Sequence, residues 1–160
     1  MTLEEIVLQN LTDWQPAGSG RQTHVIAGPS SAWSVQLTTD RQDALSCALW
    51  EVLQARRLAE GETAVDVGAW AARLATRGNG WAGPLAVVEV DAQRRQALVR
   101  SKEPRVKGKH LLYFEVMLSA AGQATVRRYQ GSRARGRRKQ IAFVLTHDAV
   151  ARLAADLADE

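Results

Sequence analysis

Apolar residues recur along this chain with two periods, and the change from one to the other organises it. Near the start, Leu3, Ile6 and Val7 share one face of a helix predicted over residues 3–10. Thr2 stands at its cap and Glu5 three residues later, the spacing of a capping box. Three extended pieces are expected next, over 11–14, 22–27 and 33–37. Pro16-Ala17-Gly18-Ser19-Gly20 and Gly28-Pro29-Ser30-Ser31 separate them as turns. Trp33, Val35 and Leu37 alternate with Ser34 and Gln36, as in a half-buried strand. A second helix is predicted from Thr38–Asp40 to about Leu58, because Leu45, Leu49, Val52 and Leu53 fall on one helical stripe beside Cys47 and Trp50. Gly61 closes it, and a third helix over 65–77 carries Val67, Trp70, Ala71 and Leu74 at helical spacing before Gly78-Asn79-Gly80 stops it. From Pro84 the period falls to two. Residues 85–90, 96–101, 111–118, 124–130 and 140–145 read as five consecutive strands with short connections. In the third of these, Leu112, Phe114, Val116 and Leu118 face one side, and Leu111, Tyr113, Glu115 and Met117 the other. A helix over 147–158 ends the chain, with Val150, Leu153 and Leu157 packing back.

These elements imply an α+β fold: an antiparallel, mostly meander sheet with helices on one face, residues 1–160 forming a single domain. Trp33, Trp50 and Trp70 are expected in the core, whereas Trp81, between Gly80 and Gly83-Pro84, is expected to be more exposed. A pseudo-repeat of strand-helix units is also expected. Shifting 33–49 by 108 positions onto 141–157 aligns Leu37 with Leu145, Thr38 with Thr146, Asp40 with Asp148, Leu45 with Leu153 and Leu49 with Leu157. Half-repeats over 11–60 and 84–160 would then be joined by the helix at 65–77.

Composition narrows the chemistry. A chain of 160 residues with 46% hydrophobic and 24% charged positions can close a core without disulfides or metal clips. Its single cysteine, Cys47, excludes an internal disulfide framework and a CxxC pair, and reads as a small core residue. No run approaches a membrane span and the first residues are acidic where a signal peptide is basic, so a cytoplasmic protein with no membrane partner is expected. P-loop, GxSxG and HExxH motifs are absent, and His24, His110 and His147 share no metal-ligand spacing. The expectation is therefore a protein that is not an enzyme, with no cofactor and no metal. His147, between Thr146 and Asp148, belongs to a helix start.

Charge is unevenly spread. The total is +4, but the segment from Lys102 to Lys139 has eleven Lys or Arg against Glu103 and Glu115, a net +9 that leaves −5 elsewhere. Seventeen Arg against four Lys is the bias a GC-rich bacterial genome writes, but it does not explain the clustering, which points to a polyanionic partner. The densest stretch is the hairpin over 127–141, whose Arg127, Arg128, Arg133, Arg135, Arg137, Arg138 and Lys139 are interrupted by Gly131 and Gly136. Arginine forks bind phosphate oxygens and glycines let backbone approach closely. Tyr113 and Tyr129 offer rings for base stacking, or form a cross-strand pair. Lys107 and Lys109 complete the candidate nucleic-acid-binding residues.

The segment 126–157, with Arg128-Tyr129, then Gly136-Arg137-Arg138-Lys139-Gln140-Ile141-Ala142-Phe143-Val144-Leu145 and a helix starting at Thr146 to Asp148, resembles the final strand-loop-strand-helix of the PC4-like transcriptional coactivators. These share a structural group with the Pur-alpha and Whirly proteins. The resemblance covers about thirty residues and implies single-stranded DNA or RNA bound across a sheet. The expected function is thus single-strand-preferring nucleic-acid binding through the basic hairpin and sheet, by a possible homo-oligomer. The alternative is an interaction or assembly module whose basic loop meets an acidic protein.

Overall fold

The computed structural model describes residues 1–16, 18–27, 32–77, 79–132 and 136–159. Its first helix, α1 (Leu3–Asp13), begins with the expected capping box: Glu5 N donates to Thr2 Oγ1 at 3.2 Å and Thr2 N to Glu5 Oε2 at 2.8 Å. The helix runs on through residues 11–13, where a strand was expected, because Leu11 continues the buried stripe of Leu3 and Val7. Strands β1 (Gln22–Ala27), β2 (Trp33–Gln42) and β3 (Ser46–Arg56) follow as an antiparallel meander.

The second predicted helix does not form: its residues lie in β2 and β3. Bulges explain the misleading spacing. Thr38 pairs with Glu51 but Thr39 with Leu49, so Trp50 is an extra residue, and Asp40 is skipped in the same way opposite. Buried positions consequently fall at Cys47, Leu49, Val52 and Gln54, a 2-3-2 spacing that mimics a helical stripe. Leu45, expected on that stripe, sits in the turn and is 78% exposed. Asp43 builds this turn by accepting from the N–H groups of Leu45 and Ser46, which holds its carboxyl below the usual range. With no helix after β2, the pseudo-repeat falls: the segments 33–49 and 141–157 do not share a plan.

Helices α2 (Val67–Arg77) and α3 (Asn79–Ala82) lead into β4 (Leu85–Asp91), β5 (Gln96–Ser101), β6 (Arg105–Lys107), β7 (His110–Ser119) and β8 (Gln123–Ser132). β4, β5, β7 and β8 form a second meander, with the short β6 added to β7. The β7–β8 turn needs Gly122: its φ is +88°, and a Cβ there would come within 2.9 Å of the Arg56 carbonyl oxygen. The two meanders join where β3 pairs β8 over 52–55 and 123–126, giving the order β1-β2-β3-β8-β7-β5-β4.

Beyond that junction β3 and β8 diverge, and one wedge of chain fills the fork. The expected strand at 140–145 divides at Ala142 into β9 (Lys139–Ile141), paired with β8, and β10 (Phe143–Thr146), paired with β3. β10 enters α4 (His147–Ala158), whose cap Thr146 accepts from Ala149 N at 3.1 Å. Helices α1, α2 and α4 bury their apolar stripes on one face of the sheet, against Val35, Leu37, Leu49, Val52, Val99, Val116, Leu118 and Val126. Among the described residues the other face carries no helix. Trp70 is in the core with half-buried Trp33 against it, whereas Trp50 is half-buried with the Arg21 guanidinium 4.1 Å above it. Trp81 reverses expectation. It is 6% exposed, because α3 turns its ring edge-on to Phe114 and its Nε1 donates to Asp156. Cys47 is buried on β3, not in a helix, and burial pushes its thiol up to about 12. No helix among the described residues is long and apolar enough to cross a membrane.

Candidate nucleic-acid interface

Directly paired residues in an antiparallel sheet point to the same side, so the register assigns every basic side chain of the hairpin end to a face. Phe114 marks the helix-bearing side, since its ring meets those of Trp81 and Phe143 edge-on at 5.7 and 5.2 Å. Phe114 pairs with Arg128, and Arg128 with Ile141. Two residues further out, Arg105 pairs with Leu112, Leu112 with Gln130, and Gln130 with Lys139. At the tip, Lys107 pairs with His110 and His110 with Ser132. Arg105, Lys107, Arg128 and Lys139 therefore project from one face, just beyond the ground the helices cover. Among the described residues, none of the four is in an ion pair.

Arg128 is the most confined of these cations. Its guanidinium lies 4.9 Å over the Phe114 ring, and its buried Nε has no hydrogen-bond partner among the described residues. Burial, with the like charge of Arg105 second, lowers its pKa. Next to this row lies a concavity of about 230 Å³ lined by His110, Gln130, Gly131, Arg137, Arg138 and Lys139, with no carboxylate in its wall among the described residues. At its base Gln130 Nε2 lies 3.4 Å from His110 Nδ1.

The opposite, helix-free face is arranged differently. Arg100 pairs with Glu115 and Glu115 with Arg127, and Arg127 Nε reaches Glu51 Oε2 at 3.2 Å. The result is a row of alternating charge across β5, β7, β8 and β3. Glu115 is 6% exposed and receives two guanidiniums, from Arg100 (3.0 Å) and from Arg138. Tyr113 and Tyr129 are direct cross-strand partners with ring centroids 6.0 Å apart. Tyr129 is 9% exposed, with the Arg138 guanidinium 3.9 Å above its ring. The neighbouring Tyr129 and the charge of Glu51 raise the Arg127 pKa, against a lowering by burial.

The eleven candidates thus separate. Tyr113, Arg127, Tyr129 and Arg138 gather on the helix-free face, while Lys107, Arg128 and Lys139 share the helix-bearing one. Arg137 is exposed at the concavity and Lys109 in the β6–β7 turn. Arg133 and Arg135 lie outside the described residues. Sequence reasoning passed over Arg105 and His110 as site residues and took Glu115 only as an outward-facing strand position. Parity along β6, β7 and β9 was the signal available for Arg105, since it stands two residues from Lys107. Among the described residues no group of three or more His, Cys, Asp or Glu is placed to hold a metal. Compared with known proteins, the chain matches no family model, no curated protein and no solved structure.

Proposed function

We propose that this protein binds single-stranded nucleic acid without catalysing a reaction on it, with phosphates held by Arg105, Lys107, Arg128, Arg137 and Lys139 at the end of the sheet. One observation carries the reading: cations from β6, β8 and β9 project from one face beside a concavity in whose wall no described residue is an acid. Like charges brought together without a carboxylate repel one another, and a polyanion relieves that repulsion. Arg137-Arg138-Lys139, a strand and a capped helix follow one another in the chain, the order on which the resemblance to PC4-like coactivators rests. That resemblance is the reason for preferring single strands.

Fluorescence anisotropy with labelled single-stranded and duplex oligonucleotides tests the reading. Four or five phosphates neutralised on a single strand give a slope of log K against log salt of about −3. Affinity should rise with oligonucleotide length to a site size and then level off. The variant carrying Arg105→Gln, Lys107→Gln, Arg137→Gln and Lys139→Gln should lose most of that slope, evenly across base sequences. Equal binding by parent and variant at physiological salt overturns the proposal. Weak attraction that never saturates with length would favour an acidic protein partner for the same surface.

A further inference from the structure

We propose that Arg138 is a positioning residue rather than a phosphate ligand: anchored on Glu115, it fixes the stem of the basic segment so that Arg137 and Lys139 stand ready at the concavity. The inference rests on reading that concavity as the anion-binding surface.

Glu115 is the one acid in the long basic run after Glu103, and it is placed where solvent hardly reaches. It accepts from Arg100 Nε and Nη2 at 3.2 and 3.0 Å on one side, and from both terminal nitrogens of Arg138 on the other, with Nη2 to Oε1 at 3.2 Å. The same Arg138 guanidinium lies on the Tyr129 ring, and its Nη1 is 3.5 Å from the Tyr113 hydroxyl. A planar cation gripped by a two-pronged carboxylate and seated on an aromatic face has little rotational freedom left. Arg138 immediately precedes β9, a strand of only three residues, and adjacent residues of a strand point to opposite faces. Holding the Arg138 side chain on the helix-free side therefore commits Lys139 to the helix-bearing side, where it pairs with Gln130 beside the concavity.

Glu115→Gln separates this from simple charge counting, because the two predict opposite signs. Removing an acid from a basic region should tighten oligonucleotide binding if charge alone matters. If the clamp matters, binding weakens by about tenfold, the ordering penalty of two long side chains, with the salt slope unchanged. Arg138→Gln should act like Glu115→Gln, lowering affinity at constant slope, and Arg138→Lys should not rescue it, since an ammonium offers neither fork nor plane. Lys139→Gln should instead make the slope shallower by about 0.7. Amide hydrogen exchange at 139–141 reads the clamp without any ligand and should quicken in both clamp variants. Tighter binding by Glu115→Gln, a full phosphate's loss of slope in Arg138→Gln, or unchanged exchange in both variants would overturn the proposal. Failure of the parent to bind oligonucleotides would sink the nucleic-acid reading alone, leaving the exchange result to decide the clamp.

Discussion

On the helix-free side of the β7–β8 hairpin, Arg100, Arg127 and Arg138 each face a carboxylate; on the helix-bearing side, Arg105, Lys107, Arg128 and Lys139 face none among the described residues. Both sets come from the same stretch of sequence, and some members are neighbours in the chain. Arg127 lies on Glu51 while Arg128 lies on Phe114; Arg138 grips Glu115 while Lys139 stands beside Gln130. A run of basic residues on strands is therefore two populations, sorted by parity, and only one carries charge that no carboxylate among the described residues balances. In the proposed reading the paired side stiffens the sheet end and the unpaired side meets the anion.

Phe114 ties the helix-bearing side of the hairpin to the core, and removing it should have the largest effect. Phe114→Ala takes away the ring that meets Trp81 and Phe143 and underlies Arg128, so urea denaturation should show a loss of about 3–5 kcal/mol. A loss below about 1 kcal/mol would mean that the hairpin end does not hang on the common core.

Next in size is the ligand's response. Replacing Arg105 and Lys107 together with Gln should lower affinity for a single strand by about tenfold near 0.15 M salt, the loss of two phosphate contacts. The double change Arg100→Gln and Arg127→Gln on the other side should leave the salt slope where it was. Equal slopes for the two double variants would erase the distinction between the faces.

Arg128→Met should move stability and binding in opposite directions. The change removes a buried Nε with no partner, so unfolding free energy should rise by about 1 kcal/mol while the binding slope becomes shallower. Lower stability would show that the guanidinium's packing on Phe114 outweighs its unsatisfied N–H. The smallest expected effect belongs to Arg127→Gln alone. Its ion pair with Glu51 is partly exposed, with side chains 42% and 24% accessible, so thermal unfolding should register less than about 1 kcal/mol.

Local chemistry made much of the fold legible. The capping box of α1, the Val67–Leu74 stripe of α2, the Thr146 cap of α4 and the first four period-two strands expected after Pro84 depend on neighbours within a few residues, and each stands where the pattern placed it; the fifth, at 140–145, divides between two partners. The segment 38–58 failed for a reason that is itself physical. Two bulges break strict alternation, and a stripe of 45, 49, 52 and 53 satisfies helical spacing while no residue in it records which strand will pair alongside. The turn at Asp43, whose carboxylate serves two backbone N–H groups, was the contrary local signal. Trp81 was misplaced similarly: its glycine neighbours describe a turn, and only the tertiary docking of α3 brings it against Asp156 of α4 and Phe114 of β7, which bury it.

The basic run and its excess of charge could be read from residue order alone, and so could the parity that sends Arg127 and Arg128 to opposite faces, because a strand alternates whatever surrounds it. Which of those faces would be neutralised could not. Glu51 reaches Arg127 from 76 residues away on β3, and Glu115 reaches Arg138 across 23 residues through the β8–β9 pairing. Coulomb attraction depends on distance in space, which for strands is set by register and by which strand lies alongside. The fork between β3 and β8, filled by β9 and β10, is the tertiary feature that brings Arg138 back over Tyr129 and leaves Lys139 on the other side.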